Sequence, residues 1–115
     1  MPRPLKLSAT APYAVISTIE QLGKRIRLAR QRRRLKLRDL AAKAGVAYDT
    51  ARAVERGNVA TGVGAYAALA WALGLEREFA ALLDPDRDTE GLTLERARTP
   101  SRVRESSRDD FKDDF

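Results

Sequence analysis

Basic side chains are concentrated near the middle of this chain of 115 residues, and their spacing is the first clue to its chemistry. Eight basic residues and no acidic one occur between positions 24 and 36: Lys24, Arg25, Arg27, Arg30, Arg32, Arg33, Arg34 and Lys36. A run of one sign predicts contact with nucleic-acid phosphates, because on a bare surface the charges would repel one another and weaken the segment. A solvated face without a partner is the alternative interpretation.

The residues that the chain lacks exclude several kinds of chemistry. Histidine and cysteine are both absent, so disulfides, thiolate nucleophiles and imidazole bases or metal ligands are ruled out. No nucleophile–base pair and no glycine-rich phosphate loop is visible, so we do not expect an enzyme. No apolar run approaches the roughly 18 residues of a membrane span and no signal peptide is recognisable, so a soluble, cytoplasmic protein is expected.

One acidic segment resembles a metal-binding loop. Its acidic residues have the spacing of a calcium loop: Asp84, Asp86, Asp88, Glu90 and Glu95. The position that requires glycine is Thr89, and the segment has no second hand. We therefore interpret it as a polar linker whose aspartates cap a short helix from Leu92 to Arg98, and we expect no metal and no cofactor.

The basic run lies directly before two predicted helices that end near Gly57. Four apolar residues of the first recur at helical spacing: Leu37, Leu40, Ala41 and Ala44. Gly45 then provides the positive φ that suits a helix end, and Val46 follows as an apolar plug. A second amphipathic run contains Thr50, Ala51, Val54 and Glu55. Two helices around a glycine turn at this spacing predict a helix-turn-helix.

Further helices are predicted on both sides of this motif. The first ends at Arg33 and begins at Pro12, which suits a first turn, or at Ser17, which forms a capping box with Glu20. Its apolar stripe comprises Ile19, Leu22, Ile26 and Ala29, with Leu35 beyond its end.

After the motif we predict a helix from Val63 to Leu73 that ends at Gly74, then another from Glu76 to Leu83. The first presents one apolar face that should close over the motif: Val63, Tyr66, Ala67, Ala70 and Leu73. Trp71 lies on another side and is either a core residue or part of an interface. Phe79, Leu82 and Leu83 should face inward or toward a second subunit, so Trp71 and Phe79 are candidate dimer contacts.

The pattern Leu40-Ala41-x-x-Ala44-Gly45-Val46, followed by Thr50, Val54 and Glu55-Arg56-Gly57, resembles the lambda-repressor-like (Xre) DNA-binding family over roughly residues 22–75. The resemblance implies an all-α, five-helix helix-turn-helix domain over residues 12–83. A flexible N-terminal arm (1–11) precedes it. A linker, a short helix and an acidic tail (84–115) form a flexible C-terminal extension. Leu37 stands where the family has a phosphate-binding glutamine, and Ala51 replaces a larger apolar residue.

Sequence-specific DNA binding by a transcriptional repressor is the function that the resemblance implies, with the second helix of the motif in the major groove. The residues at base-facing positions are Ala47, Tyr48, Asp49, Arg52 and Ala53. The residues expected to contact phosphate are Arg33, Arg34, Lys36, Thr50, Arg56 and Asn58. Arg30 and Glu55 are expected to form a partly buried structural ion pair.

The region after the domain, FAALLDPDRDTEGLTLERARTPSRVR, resembles HipB-like antitoxins. This implies a homodimer that binds operator DNA, represses its own operon and holds a HipA-like serine/threonine kinase toxin. Phe111 and Phe115, in the acidic tail DDFKDDF, are predicted to dock in a pocket of that partner. The alternative is a stand-alone, phage-type regulator without a toxin, and the neighbouring gene would distinguish the two.

Overall fold

A computed structural model of the chain describes residues 7–98, with Ser8 by its backbone alone, and these residues form helices and no strand. The helices are α1 (Leu7–Thr10), α2 (Tyr13–Arg32), α3 (Leu37–Ala44), α4 (Tyr48–Glu55), α5 (Val63–Ala72), α6 (Glu76–Ala80) and α7 (Thr89–Arg98), with a 3-10 turn at Pro85–Arg87. The prediction of an all-α protein is confirmed. The chain divides into two compact units, Met1–Ala80 and Ala81–Phe115. None of the described helices is long and apolar enough to cross a membrane.

Helix α2 begins immediately after Pro12, the earlier of the two predicted starts. Pro12 is the residue before the first helical position, and its carbonyl accepts hydrogen bonds from the amides of Val15 and Ile16. Ser17 lies inside the helix, so the alternative capping box is wrong. The proline ring fixes φ near the helical value one turn earlier, and the helix therefore starts before Ser17. The short helix α1 also places one helical turn within the segment that was predicted to be a loose arm.

The core of the first unit is formed by residues of α2 to α5 together with Leu73, and all of them except Tyr66 are small or medium aliphatic residues. Its buried members are Ile26, Ala29, Leu40, Ala41, Ala51, Val54, Tyr66, Leu69, Ala72 and Leu73. The predicted stripe of α2 is confirmed, since Ile19, Leu22 and Leu35 pack against this cluster and are half-buried. Ala51 is fully buried, so the small residue at this position fills its site in the core.

Two glycines bring α2 and the end of α4 into direct backbone contact. A β-carbon on Gly23 would overlap the carbonyl oxygen of Val54 and lie 2.6 Å from the amide nitrogen of Gly57. A β-carbon on Gly57 would overlap the Cα of Glu20. The two backbones therefore pack at a distance that only glycine allows, which fixes α4 firmly against α2.

Helix α5 matches its predicted span, and Gly74 ends it with a φ of 77°. Its buried face differs in part from the prediction. Tyr66, Ala70 and Leu73 are buried as expected, whereas Val63 is 69% exposed. Leu69 and Ala72, which were not predicted, are buried as well. The helix is apolar on nearly all sides, so its sequence pattern does not specify which face turns inward.

The predicted fifth helix exists but is shorter than expected. Helix α6 ends at Ala80, and Phe79 packs half-buried against the core of the first unit. The inward placement predicted for Leu82 and Leu83 is wrong, because they follow the helix and are 55% and 99% exposed. Asp84 has the extended ψ of 121° that a residue before proline favours, so the helix cannot continue up to it.

Aspartates cap the helical elements of the second unit, as predicted. Asp84 accepts a hydrogen bond from the amide of Asp86 at 2.9 Å, and Asp88 accepts one from the amide of Gly91 at 2.9 Å. Since Asp88 sits directly before Thr89, helix α7 begins three residues earlier than the predicted Leu92. The segment that mimics a calcium loop thus uses two of its carboxylates to bind backbone amides.

Candidate nucleic-acid interface

Helices α3 and α4 are joined by a three-residue turn, Gly45 to Ala47. Gly45 adopts the left-handed conformation with a φ of 73°. The amide of Val46 donates to the carbonyl of Ala41 at 3.0 Å, and the amide of Gly45 donates to the carbonyl of Ala42 at 3.2 Å. These bonds satisfy the last carbonyls of α3 and reverse the chain, so that α4 starts at Tyr48.

The two faces of α4 differ sharply in burial. Ala51 and Val54 are 0% exposed, and Thr50 and Glu55 beside them are half-buried. The opposite face carries polar and charged side chains that are all exposed: Tyr48, Asp49, Arg52 and Arg56. Helix α4 is therefore held rigidly on one side and presents a set of hydrogen-bonding groups to solvent on the other.

A bidentate ion pair locks the end of α4 to the end of α2. The Nε of Arg30 donates to Oε2 of Glu55 at 2.7 Å, and an Nη donates to Oε1 at 3.0 Å. The other Nη donates to the carbonyl of Leu35 at 2.8 Å. The two side chains are only 15% and 8% exposed, which confirms the predicted partly buried pair. Hydrogen bonding to Glu55 raises the pKa of Arg30, outweighing the opposing effect of burial, so the guanidinium stays charged.

The residues predicted to face bases occupy the exposed side of α4 and the residue before it, with one exception. Ala47, Tyr48, Asp49 and Arg52 are exposed, whereas Ala53 is half-buried at the edge of the face. The guanidinium carbon of Arg52 lies 6.0 Å from the centre of the Tyr48 ring, within the range of a cation–π contact. The two candidate base-reading side chains are therefore partly preorganised by each other.

The predicted phosphate contacts include four exposed cations, of which Arg33 also donates to the carbonyl of Ala29 at 2.9 Å. Arg33, Arg34, Lys36 and Arg56 are exposed. Thr50 is half-buried. The side-chain oxygen of Asn58 accepts from the amide of Ala60, and its carbonyl accepts from the hydroxyl of Tyr66, both at 2.8 Å. Asn58 thus shapes the loop after α4, a role that the sequence pattern does not reveal because it depends on the position of Tyr66.

Arg34 has an unusual backbone conformation. Its φ is 54°, in the left-handed region that favours glycine. Its amide donates to the carbonyl of Gln31 at 3.0 Å, and the next amide, of Leu35, donates to the carbonyl of Arg30 at 3.3 Å. The end of α2 therefore uses the same type of turn as the end of α3, with an arginine at the position of the glycine.

An open groove runs between α3 and the start of α4. Its lining residues are Arg38, Ala41, Ala42, Val46 and Tyr48, and its volume is about 500 Å³. Its floor is apolar, while Arg38 and Tyr48 add polar groups at its edges. Arg38 was not among the predicted site residues. The signal in the sequence is its i, i+4 spacing with Ala42, which places both on the exposed side of α3.

Of the residues predicted to contact a partner, Trp71 and Phe79 lie within the described part of the chain. Trp71 is 55% exposed, so the interpretation of a core tryptophan is wrong. Phe79 is half-buried against its own core, which leaves less of its ring for a second subunit. Phe111 and Phe115 lie outside the described residues.

Comparisons of this chain with known protein families, with curated proteins and with solved structures found no match.

Proposed function

We propose that this chain is a sequence-specific DNA-binding protein of the helix-turn-helix type that acts as a transcriptional repressor. The observation that carries the proposal is the division of α4 into a fully buried face and an exposed face with Tyr48, Asp49, Arg52 and Arg56. A helix in the major groove needs this arrangement, because base recognition requires hydrogen-bonding side chains on a rigid support.

The charge around α4 supports the same function. Seven members of the basic run are exposed: Lys24, Arg25, Arg27, Arg32, Arg33, Arg34 and Lys36. The eighth, Arg30, is neutralised by Glu55 and serves the fold. A positive surface next to an exposed recognition helix supplies the sequence-independent part of DNA affinity.

Backbone amides add a second source of positive potential. Among the described residues 7–98, no side chain caps the N-terminus of α3, α4 or α5. First-turn amides without a protein acceptor can donate to phosphate oxygens, and the helix dipole favours a negative charge there. We expect these amides and the cations of the basic run to fix the protein on the DNA backbone, while Tyr48, Asp49 and Arg52 read bases.

The more specific part of the proposal is that the protein is an antitoxin that represses its own operon. It rests on the resemblance to HipB-like antitoxins and includes a homodimer and a HipA-like kinase toxin. Exposure of Trp71 on the apolar helix α5 favours a protein contact on that face, because tryptophan is enriched in interfaces. Co-purification of a kinase encoded by the neighbouring gene would support this part, and its absence would leave a stand-alone regulator.

Salt dependence of binding to double-stranded DNA is the first experiment. If a dimer neutralises roughly eight phosphates, the logarithm of the binding constant should fall with the logarithm of the salt concentration, with a slope of about −7. A slope shallower than about −2 would mean that the basic run does not lie at the DNA backbone. Arg77→Ala, an exposed cation on α6, is the matched control and should leave the slope unchanged.

Three alanine variants distinguish the residues that read bases from a residue that contacts the DNA backbone. Arg52→Ala and Tyr48→Ala should each reduce the discrimination between operator and random DNA by about 1–3 kcal/mol. Arg33→Ala should weaken both DNAs alike. Equal losses on both DNAs for all three variants would contradict the assignment of α4 as the recognition helix.

A further inference from the structure

The most informative feature of the exposed face of α4 is the contact between Tyr48 and Arg52. The two residues are four apart and so share one side of the helix. The guanidinium carbon lies 6.0 Å from the ring centre. No acidic side chain of residues 7–98 forms an ion pair with Arg52. The Tyr48 ring therefore orients the guanidinium of Arg52, and no carboxylate of these residues accepts from its N–H donors.

A guanidinium that packs over a ring keeps its in-plane donors for a ligand. The ligand in the major groove that matches a planar pair of donors is guanine, through O6 and N7. Packing on Tyr48 also reduces the number of rotamers that Arg52 must lose on binding, which strengthens a bidentate contact.

Tyr48 has a second neighbour, the groove between α3 and the start of α4. Its ring borders an apolar floor made by Ala41, Ala42 and Val46. Ala41 is 3% exposed, so Ala42, which is exposed, and Val46, which is half-buried, provide nearly all of the accessible apolar surface of this floor. In the major groove, the apolar group that such a surface can contact is the 5-methyl group of a pyrimidine.

Tyr48 lies beside both Arg52 and the groove, and this arrangement suggests which bases the protein recognises. The inference rests on the proposed function. We propose that Tyr48 and Arg52 act as one unit that reads a guanine together with the adjacent pyrimidine on the same strand, provided that this pyrimidine carries a 5-methyl group. Arg52 binds the guanine, and the Tyr48 ring with the groove floor contacts the methyl group. Thymine and 5-methylcytosine are accepted at this position, and cytosine is disfavoured. Cytosine methylation therefore increases affinity.

The experiment starts with selection of binding duplexes from a random library, which identifies a half-site directly. Two matched pairs of duplexes then isolate the methyl group: thymine against uracil opposite adenine, and 5-methylcytosine against cytosine opposite guanine. In each pair the methylated duplex should bind about fourfold more tightly, the equivalent of one buried methyl group. Replacing the guanine–cytosine pair by adenine–thymine should weaken binding about 5- to 150-fold.

Variants test whether the two residues act together. Tyr48→Phe keeps the ring and should keep the methyl preference, whereas Tyr48→Ala should abolish it and also reduce the preference for guanine. Arg52→Lys keeps the charge but loses the planar fork, so it should lose the preference for guanine. Arg77→Lys, at an exposed arginine of α6 outside the proposed interface, is the control and should change neither preference. Circular dichroism establishes that each variant is folded.

Two kinds of failure are distinguishable. Selected half-sites without a guanine, or a methyl preference that survives Tyr48→Ala, would overturn this inference and leave DNA binding intact. If no selected duplex bound better than random DNA, the proposed function itself would fail.

Discussion

Helices α2 and α4 end with the same pattern of backbone hydrogen bonds but with different residues in the left-handed conformation. At the end of α4, Gly57 donates to Val54 and Asn58 donates to Ala53. At the end of α2, Arg34 donates to Gln31 and the next residue donates to Arg30. Gly57 has a φ of 70° and Arg34 a φ of 54°.

The surroundings of these two helix ends explain the difference. Gly57 is buried against the backbone of α2, where a β-carbon cannot fit. Arg34 is exposed, so an arginine fits there and only its backbone conformation is unfavourable. Packing thus requires glycine at position 57, at the end of α4. At the other, an arginine is kept at a conformational cost, which is understandable if its charge contributes to binding.

Gly57→Ala should have the largest effect on the fold. A non-glycine residue in the left-handed region costs about 1–2 kcal/mol, and forcing its β-carbon against the α2 backbone costs about 1–3 kcal/mol more. Gly45→Ala is the matched control, since its φ of 73° is similar but no atom lies within 4 Å of the added carbon. In denaturant unfolding, Gly45→Ala should lose only the about 1–2 kcal/mol that the left-handed conformation costs a non-glycine residue. Equal losses for both variants would mean that packing against α2 is not what requires glycine at position 57.

Glu55→Gln tests the ion pair that connects the two helix ends. The substitution leaves the Arg30 charge without its partner, and the loss should lie toward the low end of the about 3–5 kcal/mol for a buried pair, because Arg30 is 15% exposed. The double variant Arg30→Leu/Glu55→Leu should recover much of the stability, since it removes both charges. Thermal unfolding of Glu55→Gln close to that of the wild type would contradict a stabilising pair.

Tyr66 binds the loop that follows Gly57, because its hydroxyl donates to the carbonyl of Asn58 at 2.8 Å. Burial raises the pKa of its hydroxyl above the ordinary value of about 10. The folded state favours the neutral phenol, so this stabilisation is fully present below pH ~10 and is lost as the pH rises through the folded-state pKa. Tyr66→Phe should lose about 0.5–1.5 kcal/mol at neutral pH and should lack this alkaline loss. Tyr13→Phe, with Tyr13 79% exposed, is the control and should unfold as the wild type does at neutral pH.

Arg34→Gly should have the smallest effect on the fold, and of opposite sign. Relief of the left-handed strain, reduced by the greater entropy of glycine in the unfolded chain, should raise the free energy of unfolding by about 0.5–1 kcal/mol. DNA affinity should fall at the same time, with a shallower salt slope. A variant that is more stable and binds DNA as tightly as the wild type would remove the functional explanation of the strain.

Patterns of sequence predicted the helices of the first unit well where apolar spacing and glycines coincide. The spans of α3 to α5 and the turn at Gly45 are of this kind. The Arg30–Glu55 pair was instead expected from the family resemblance, and the structure contains it. What the sequence could not reveal depends on positions in space. The close approach of Gly23 to Gly57, the bond from Tyr66 to Asn58 and the groove beside Arg38 join residues that are far apart in the chain or lie on different elements.

Other discrepancies arise where local rules compete. Ser17 and Glu20 have the spacing of a helix start, but Pro12 acts one turn earlier. Leu82 and Leu83 continue an apolar pattern beyond α6, yet the bond before Pro85 requires extended backbone. The face of α5 was ambiguous because nearly every residue of this helix is apolar. Of the residues predicted to face bases, Ala47, Tyr48, Asp49 and Arg52 are exposed and Ala53 is half-buried. Their roles in binding stay predictions.

The position of Trp71 has a consequence for spectroscopy. The chain has one tryptophan, and it is 55% exposed on α5. Because its indole is already in contact with water, unfolding should change its fluorescence emission maximum only slightly. A protein that covers this face should shift the emission to shorter wavelength, whereas a ligand bound to α4 alone should not. The native chain therefore carries an optical probe that can distinguish protein association from DNA binding without an attached dye.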